Sequence, residues 1–234
     1  MGILVGWRWA GAALALLLAF DMADAALYVA HILSLHGKAP EWLRNPLFNM
    51  NREFGLGESV EYLKSLGCAG ALAVCARRAG EPVFAVLAAL HAWLALDNAL
   101  ALHEQLGVSI GEHILRGEAL GLARPTDMGQ LLYYTAFGLA LLALFALLLR
   151  RTGPTFAGTG LVLALAAASP GLFGVFVDAF QATPVAQPLS HTLLVVLEDG
   201  GETVMLSLAA ALSIGCLRHS RTWPALRDGR TAPA

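Results

Sequence analysis

Long apolar runs separated by short polar stretches dominate this chain. A bilayer core of about 30 Å is crossed by about 20 apolar residues in a helix. Six runs reach roughly that length, at residues 3–35, 60–76, 82–106, 129–149, 156–180 and 189–217. They are rich in Leu and Ala and lack the two-residue alternation of membrane strands. The pattern therefore predicts an all-α, six-helix integral membrane bundle.

The six runs belong to one domain, because the sequence contains no internal repeat and no low-complexity linker. We expect a single transmembrane domain over residues 1–220 and a cytoplasmic tail over 221–234. The first run has an alternative interpretation as a cleavable signal peptide, since a basic residue, an apolar run and the triplet 23–25 follow in order. The apolar pattern resumes at once after the triplet, which favours an uncleaved first helix.

Basic residues at the ends of the runs indicate the orientation, because cytoplasmic loops carry an excess of Lys and Arg. With a cytoplasmic N-terminus, nine of the fifteen basic residues lie inside: Arg8, Arg77, Arg78, Arg150, Arg151, Arg218, Arg221, Arg227 and Arg230. Lys38, Arg44, Arg52, Lys64, Arg116 and Arg124 would fall on the outer side. We expect both termini to be cytoplasmic, in a multi-pass protein of a bacterial inner membrane.

Composition narrows the class of function. Hydrophobic residues make up 57% of the chain and charged residues 14%, against roughly 25% charged in a soluble domain. The net charge of -2 offers no cationic surface for a nucleic acid. Cys68, Cys75 and Cys216 have no CxxC spacing, so we expect small buried apolar residues and neither a disulfide framework nor a thiolate zinc site.

Ionisable side chains occur inside the apolar runs, where each costs roughly 2.5 to 3.5 kcal/mol at mid-bilayer. These are Asp21, Asp24, His31, His91, Asp97, His103, Glu104, Asp178, His191, Glu198, Asp199 and Glu202, with Glu53, Glu58 and Glu61 at the start of the second run. Nearly all map to the outer half, and the inner half is almost purely apolar. This distribution predicts a water-accessible cavity that opens outward.

Carboxylates and imidazoles on facing helices are typical ligands of zinc, manganese or iron. The predicted metal ligands are His103, Glu104, His191, Glu198 and Glu202. Asp97 would orient a ligand or bind the metal itself, and Glu53 or Asp21 would shuttle a proton. The leading hypothesis is a metal-dependent hydrolase or oxidoreductase acting on a lipid or a small periplasmic molecule. Metal-bound water would be the nucleophile of the hydrolase.

Two other functions remain open on the same residues. The acids could bind protons or cations in a coupled transporter, or they could only lock helices together in a structural or assembly subunit. Asp97 and His103 have a plainer interpretation as a hydrogen-bonded structural pair, and His91 as a satisfied buried histidine. No Gly-x-Ser-x-Gly, Walker or dinucleotide motif is present.

Two segments resemble a family of uncharacterised bacterial multi-pass membrane proteins. These are LDNALALHE at 96–104 and LEDGGE at 197–202, and RE at 52–53 resembles a third element of that family. The resemblance covers about residues 49–208. It implies a shared membrane-embedded site but no particular reaction. Asn98 and Asp199 depart from the acids expected at those positions, which bears on metal preference.

Overall fold

Helices are the regular secondary structure of the described part of the chain. The computed structural model describes residues 7–50, 52, 54–116, 125–181 and 191–223. Within these ranges there are seven α-helices and no strand: α1 Trp7–Leu35, α2 Leu56–Ala79, α3 Pro82–Ala99, α4 Leu102–His113, α5 Pro125–Leu149, α6 Pro154–Gln181 and α7 His191–His219. Short 3-10 helices occupy Glu41–Arg44, Pro46–Phe48 and Ser220–Thr222. The all-α prediction is confirmed.

Five of these helices, α1, α3, α5, α6 and α7, contain stretches long and apolar enough to cross a membrane. A set of this kind is characteristic of a multi-pass membrane protein. Among the described residues, α2 does not contain a stretch apolar enough to be counted with these five. Its first half carries Glu58, Glu61 and Lys64, which lower its hydropathy.

The predicted third segment, 82–106, is wrong as a single helix. Helix α3 ends at Ala99, and α4 begins at Leu102. Between them Ala101 adopts a left-handed backbone with φ of 47°, which costs a residue with a Cβ roughly 1–2 kcal/mol. The break turns the chain so that His103 can reach back to Asp97, which a continuous helix would place on different turns.

Helix α4 lies against the start of α5 through glycines. Gly107 and Gly111 are four residues apart, the small-xxx-small spacing that lets helix backbones approach closely. A Cβ at Gly111 would lie 2.5 Å from the carbonyl oxygen of Pro125, and Gly129 of α5 lies directly against the backbone of Gly107. This close approach positions α5 beside the break between α3 and α4.

The starts of α1, α3 and α6 and the ends of α2 and α7 meet at one end of the bundle, here called the arginine-rich end after Arg77, Arg78 and Arg218. Its core contains the rings of Phe84, Phe156 and Trp223, with the Trp223 centroid 5.0 Å from each phenylalanine. The Arg218 guanidinium carbon lies 4.2 Å from the centre of the Trp9 ring. An apolar core therefore closes this end.

Candidate functional site

A buried ion pair joins α1 to α2 in the half of the bundle away from the arginine-rich end. The Nζ atom of Lys64 lies 2.5 Å from Oδ1 of Asp21. The two side chains are only 2% and 4% exposed. Lys64, which we counted among the basic residues on the outer side, lies inside the bundle, and its partner is 43 residues away in sequence.

Helix α7 supplies the remaining polar partners of this pair. Lys64 Nζ also donates to the carbonyl oxygen of Thr203 at 3.2 Å and to its Oγ1 at 3.1 Å. Ser207 Oγ donates to Oδ2 of Asp21 at 2.7 Å. Both carboxylate oxygens and the ammonium group are therefore satisfied, and three helices are tied together at one point.

Two further carboxyl groups lie around the ammonium group. Asp24 interacts electrostatically with Lys64 and Asp21. Glu61 bonds to the side chain of Thr203 and also interacts with Lys64. We call Asp21, Asp24, Glu61 and Lys64 the charged cluster.

A cavity of about 220 Å³ reaches the charged cluster from between α1 and α2. Its lining is mainly apolar, including Phe20 and Val60, with Asp21 and Asp24 as its acidic members. Gly57 leaves room for one of these acids, since a Cβ there would lie 2.5 Å from an Asp24 carboxylate oxygen. The cavity gives the cluster a route to the outside of the helix bundle.

A second polar site surrounds Asp97, which is 1% exposed. Its Oδ2 lies 3.1 Å from Nδ1 of His103 and accepts from the Tyr134 hydroxyl at 3.2 Å, and its Oδ1 accepts from the Tyr133 hydroxyl at 3.1 Å. The centroids of the His103 and Tyr134 rings are 5.5 Å apart. A carboxylate that accepts from Nδ1 orients the imidazole and leaves Nε2 with its lone pair.

Only part of the predicted metal-ligand set comes together. Oε1 of Glu104 is 4.0 Å from Nε2 of His103, and Glu202 lies against Gly174 of α6 and interacts electrostatically with Tyr134. His191 is exposed at the start of α7, Glu198 is half-buried in the same helix, and Glu53 lies outside the described residues. Within the described ranges no three His, Cys, Asp or Glu side chains are placed to hold one ion.

Two other histidines have structural surroundings. Nδ1 of His31 lies 2.7 Å from the carbonyl oxygen of Leu43 and holds the loop after α1. His91 is 1% exposed, and its Nδ1 has no hydrogen-bond partner in the described part of the chain. The interpretation of His91 as a satisfied histidine is therefore wrong for this nitrogen.

Sequence reasoning missed Lys64, Tyr133 and Tyr134 as site residues. A lysine inside the mostly apolar run at 60–76 is the signal that a buried partner was needed. The tyrosine pair carries a weaker signal, because tyrosine also occurs at membrane interfaces. Neither signal names the partner.

Apolar helices that enclose charged and hydrogen-bonded side chains define the chain as a multi-pass membrane protein. It belongs to the family described as Domain of unknown function (DUF8692), whose model matches residues 9–216. Comparisons with curated proteins and with solved structures give no match.

Proposed function

We propose that this protein is a proton- or cation-coupled carrier whose ions bind at the charged cluster. The supporting observation is an imbalance of charge: the carboxyl groups of Asp21, Asp24 and Glu61 surround the single ammonium group of Lys64. An uncompensated charge in a low-dielectric interior costs several kcal/mol. Asp24 and Glu61, which are both partly buried, are therefore the carboxyl groups that can carry a proton or share a bound cation.

Exchange of partners at Lys64 would couple ion binding to helix movement. In this conformation Lys64 is held by Asp21 and Thr203. A proton arriving on Asp21 would weaken that pair and favour Asp24 or Glu61 as the partner of the ammonium group. Exchange to Glu61, which is on α2 with Lys64, would release α1 from α2, whereas exchange to Asp24 would keep the two helices joined at a position one turn further along α1.

A carrier of this kind requires a defined placement in the membrane. Our proposal includes α2 as a sixth spanning helix, because its charges are directed at α1 and α7 rather than at lipid. It also places both termini on the cytoplasmic side of a bacterial inner membrane, by the excess of arginine at that end. The core around Phe84 closes the cytoplasmic half, so this conformation would be the outward-open one of an alternating-access cycle. Helix α6 is continuous through Pro170, so a broken helix is not part of the proposal.

Proteoliposomes that hold a pH-sensitive dye test the proposal. A sodium, potassium or magnesium gradient is imposed in turn, and the internal pH is followed. The wild type should move protons in response to at least one gradient. Asp24→Asn should reduce this flux to background. The matched control is Glu41→Gln, because the Glu41 side chain is 86% exposed and lies in the short 3-10 helix that follows α1.

A glycine pair tests the geometry without removing a charge. Gly57→Ala should displace the Asp24 carboxylate and lower the flux, whereas Gly70→Ala on the same helix meets nothing within 4 Å and should leave it unchanged. Variants are compared only as monodisperse, thermally stable preparations. A wild-type flux equal to that of protein-free vesicles under every gradient would contradict the carrier proposal.

The enzyme hypothesis has its own supporting observation, the hydrogen bond between Asp97 and His103. In this second candidate function His103 acts as a general base towards a lipid or small periplasmic molecule, with Asp97 holding its tautomer. The side chain of His103 is 21% exposed, so a substrate can reach it. His103 and Glu104 provide two of the metal ligands that a zinc, iron or manganese centre requires, so we assign no step to a metal.

Elemental analysis of the purified protein distinguishes an enzyme with a metal centre from one in which His103 acts as a general base without a metal. A stoichiometric divalent metal that is lost in His103→Ala and retained in His113→Ala would support a metal centre. Turnover in detergent without an ion gradient would favour the enzyme over the carrier. Flux that survives His103→Ala and is lost in Asp24→Asn would favour the carrier.

A further inference from the structure

Two cysteines far apart in sequence meet at the arginine-rich end of the bundle. The Sγ atoms of Cys75 on α2 and Cys216 on α7 are 3.6 Å apart. Cys75 is fully buried, and Cys216 is 8% exposed. Cys75 is eleven residues from Lys64, about 16 Å along the helix axis, so the pair is separate from the charged cluster.

A guanidinium group lies beside this pair. Arg78 Nη1 donates to the carbonyl oxygen of Leu217 at 3.2 Å and to Ser220 Oγ at 2.9 Å, which holds the side chain across the end of α7. Cys75 interacts electrostatically with Arg78 and bonds to the side chain of Ser220. A fixed positive charge is thus available to balance a thiolate in otherwise apolar surroundings.

We propose that Cys75 and Cys216 form a two-thiolate binding site for a soft metal ion of the copper(I) class. Soft thiolate ligands select such ions. On binding, the ion forms two metal–sulfur bonds and both thiols release their protons to solvent. The resulting complex has a net charge of minus one, which Arg78 balances. No electron is transferred.

The sulfur separation favours this ligand over a disulfide. With the metal–sulfur bond length of about 2.3 Å found in zinc thiolate sites taken as a guide, an ion between the two atoms would have a sulfur–metal–sulfur angle of roughly 100°. Widening the gap by about 1 Å would make the angle linear. A disulfide requires the sulfur atoms to close by about 1.5 Å, to about 2.05 Å. The smaller movement accommodates the ion. This site depends neither on the carrier proposal nor on the enzyme hypothesis.

Competition for copper(I) tests the site in the full-length protein in detergent. The reduced protein is titrated against copper(I) held by bathocuproine disulfonate, a coloured chelator. Wild type should remove about one ion per chain from the chelator. Cys68→Ser, on the same helix as Cys75, is the matched control and should bind equally. Cys75→Ser and Cys216→Ser should each abolish removal of the ion.

Arg78→Gln should weaken binding about tenfold, since partners of metal ligands typically contribute roughly 10- to 100-fold in affinity. X-ray absorption at the copper edge should show two sulfur neighbours in the wild type, which keeps the test decisive if a cysteine variant fails to fold. Absence of binding, nitrogen or oxygen neighbours alone, or equal loss in Cys68→Ser would overturn the proposal.

Discussion

Lys64 is the residue that connects three helices in the interior of the bundle. It contacts Asp21 on α1 and both oxygen atoms of Thr203 on α7 from its position on α2. Removing one member of a buried ion pair leaves an unpaired charge, which costs about 3–5 kcal/mol, whereas replacing both members with apolar groups is often nearly neutral. The pair therefore specifies which helices meet more than it adds to net stability.

A double-mutant cycle on this pair gives the first expected outcome. Lys64→Met alone should lower the free energy of unfolding by about 3 kcal/mol, because Asp21 loses its counter-charge. Adding Asp21→Leu should recover most of that loss. The measurement is thermal or denaturant unfolding in detergent, followed by tryptophan fluorescence. Losses that simply add would show that the two side chains are not coupled in the folded protein.

The hydroxyl groups of Tyr133 and Tyr134 give a second expectation at this scale. Each donates to the buried carboxylate of Asp97, and a hydrogen bond to a charged group contributes roughly 1.5–3 kcal/mol. Tyr133→Phe and Tyr134→Phe should each reduce stability within that range. In an Asp97→Leu background the same changes should have little effect, and an undiminished effect there would place the tyrosine partners elsewhere.

Helix α7 is the element that separates the two polar sites. Consecutive residues in a helix are about 100° apart, so Glu202 faces α6 while Thr203 faces α2. The interface with α6 depends on small residues: Glu202 lies against Gly174, and Gly201 lies against the ring of Phe173. A Cβ at either glycine would require the facing side chain, Glu202 or Phe173, to move.

Two glycines of α6 provide a matched comparison at this scale. Gly174→Ala should lower the free energy of unfolding by about 1 kcal/mol, the low end of the cost of overpacking, because the flexible end of Glu202 must move away from the added methyl. Gly171→Ala meets nothing within 4 Å, and it should be neutral or stabilise the helix by up to about 1 kcal/mol. Thermal unfolding of the two variants in parallel checks the difference. Equal stability would show that the carboxylate lies elsewhere.

At the scale of the whole molecule, the two ends of the bundle differ in chemistry. One half contains the charged cluster and Asp97, and the arginine-rich end contains the rings of Phe84, Phe156 and Trp223. The start of α1 and the end of α7 meet at the arginine-rich end, where Arg218 contacts the ring of Trp9. Our proposal accounts for this arrangement with an even number of crossings, in which α2 is the sixth.

Reporter fusions check this topology. Green fluorescent protein fused after Trp223 should fluoresce, and alkaline phosphatase fused there should be inactive, since both report a cytoplasmic location. Alkaline phosphatase fused after Gly37, in the loop beyond α1, should be active. The reverse pattern would show that the protein has the opposite orientation in the membrane. Alkaline phosphatase activity at both positions would show that α2 does not span the membrane.

The sequence alone determined the helical class and the positions of most helices. Long apolar runs leave a helix as the main way to satisfy backbone groups in lipid. The six predicted runs overlap all seven α-helices of the described part of the chain, with the run at 82–106 covering α3 and the start of α4. The same runs located the acids and histidines in one half of the bundle. The break at Ala101 could not be predicted, because the residue with positive φ is not a glycine and the sequence there has no other helix-breaking signal. The contact between His103 and Asp97 accompanies the break.

Only the tertiary structure decided which ionisable groups share a site. Helical periodicity places Asp21, Asp97 and Glu202 on faces, but the angle at which each helix is rotated depends on packing against its neighbours. The five predicted metal ligands therefore do not lie together: His191 is exposed and Glu202 faces α6. Lys64 pairs with Asp21, which is 43 residues away in sequence. Cys75 contacts Cys216, which is 141 residues away. Such pairings are set by the packing of α1, α2 and α7, for which a single sequence carries no local code.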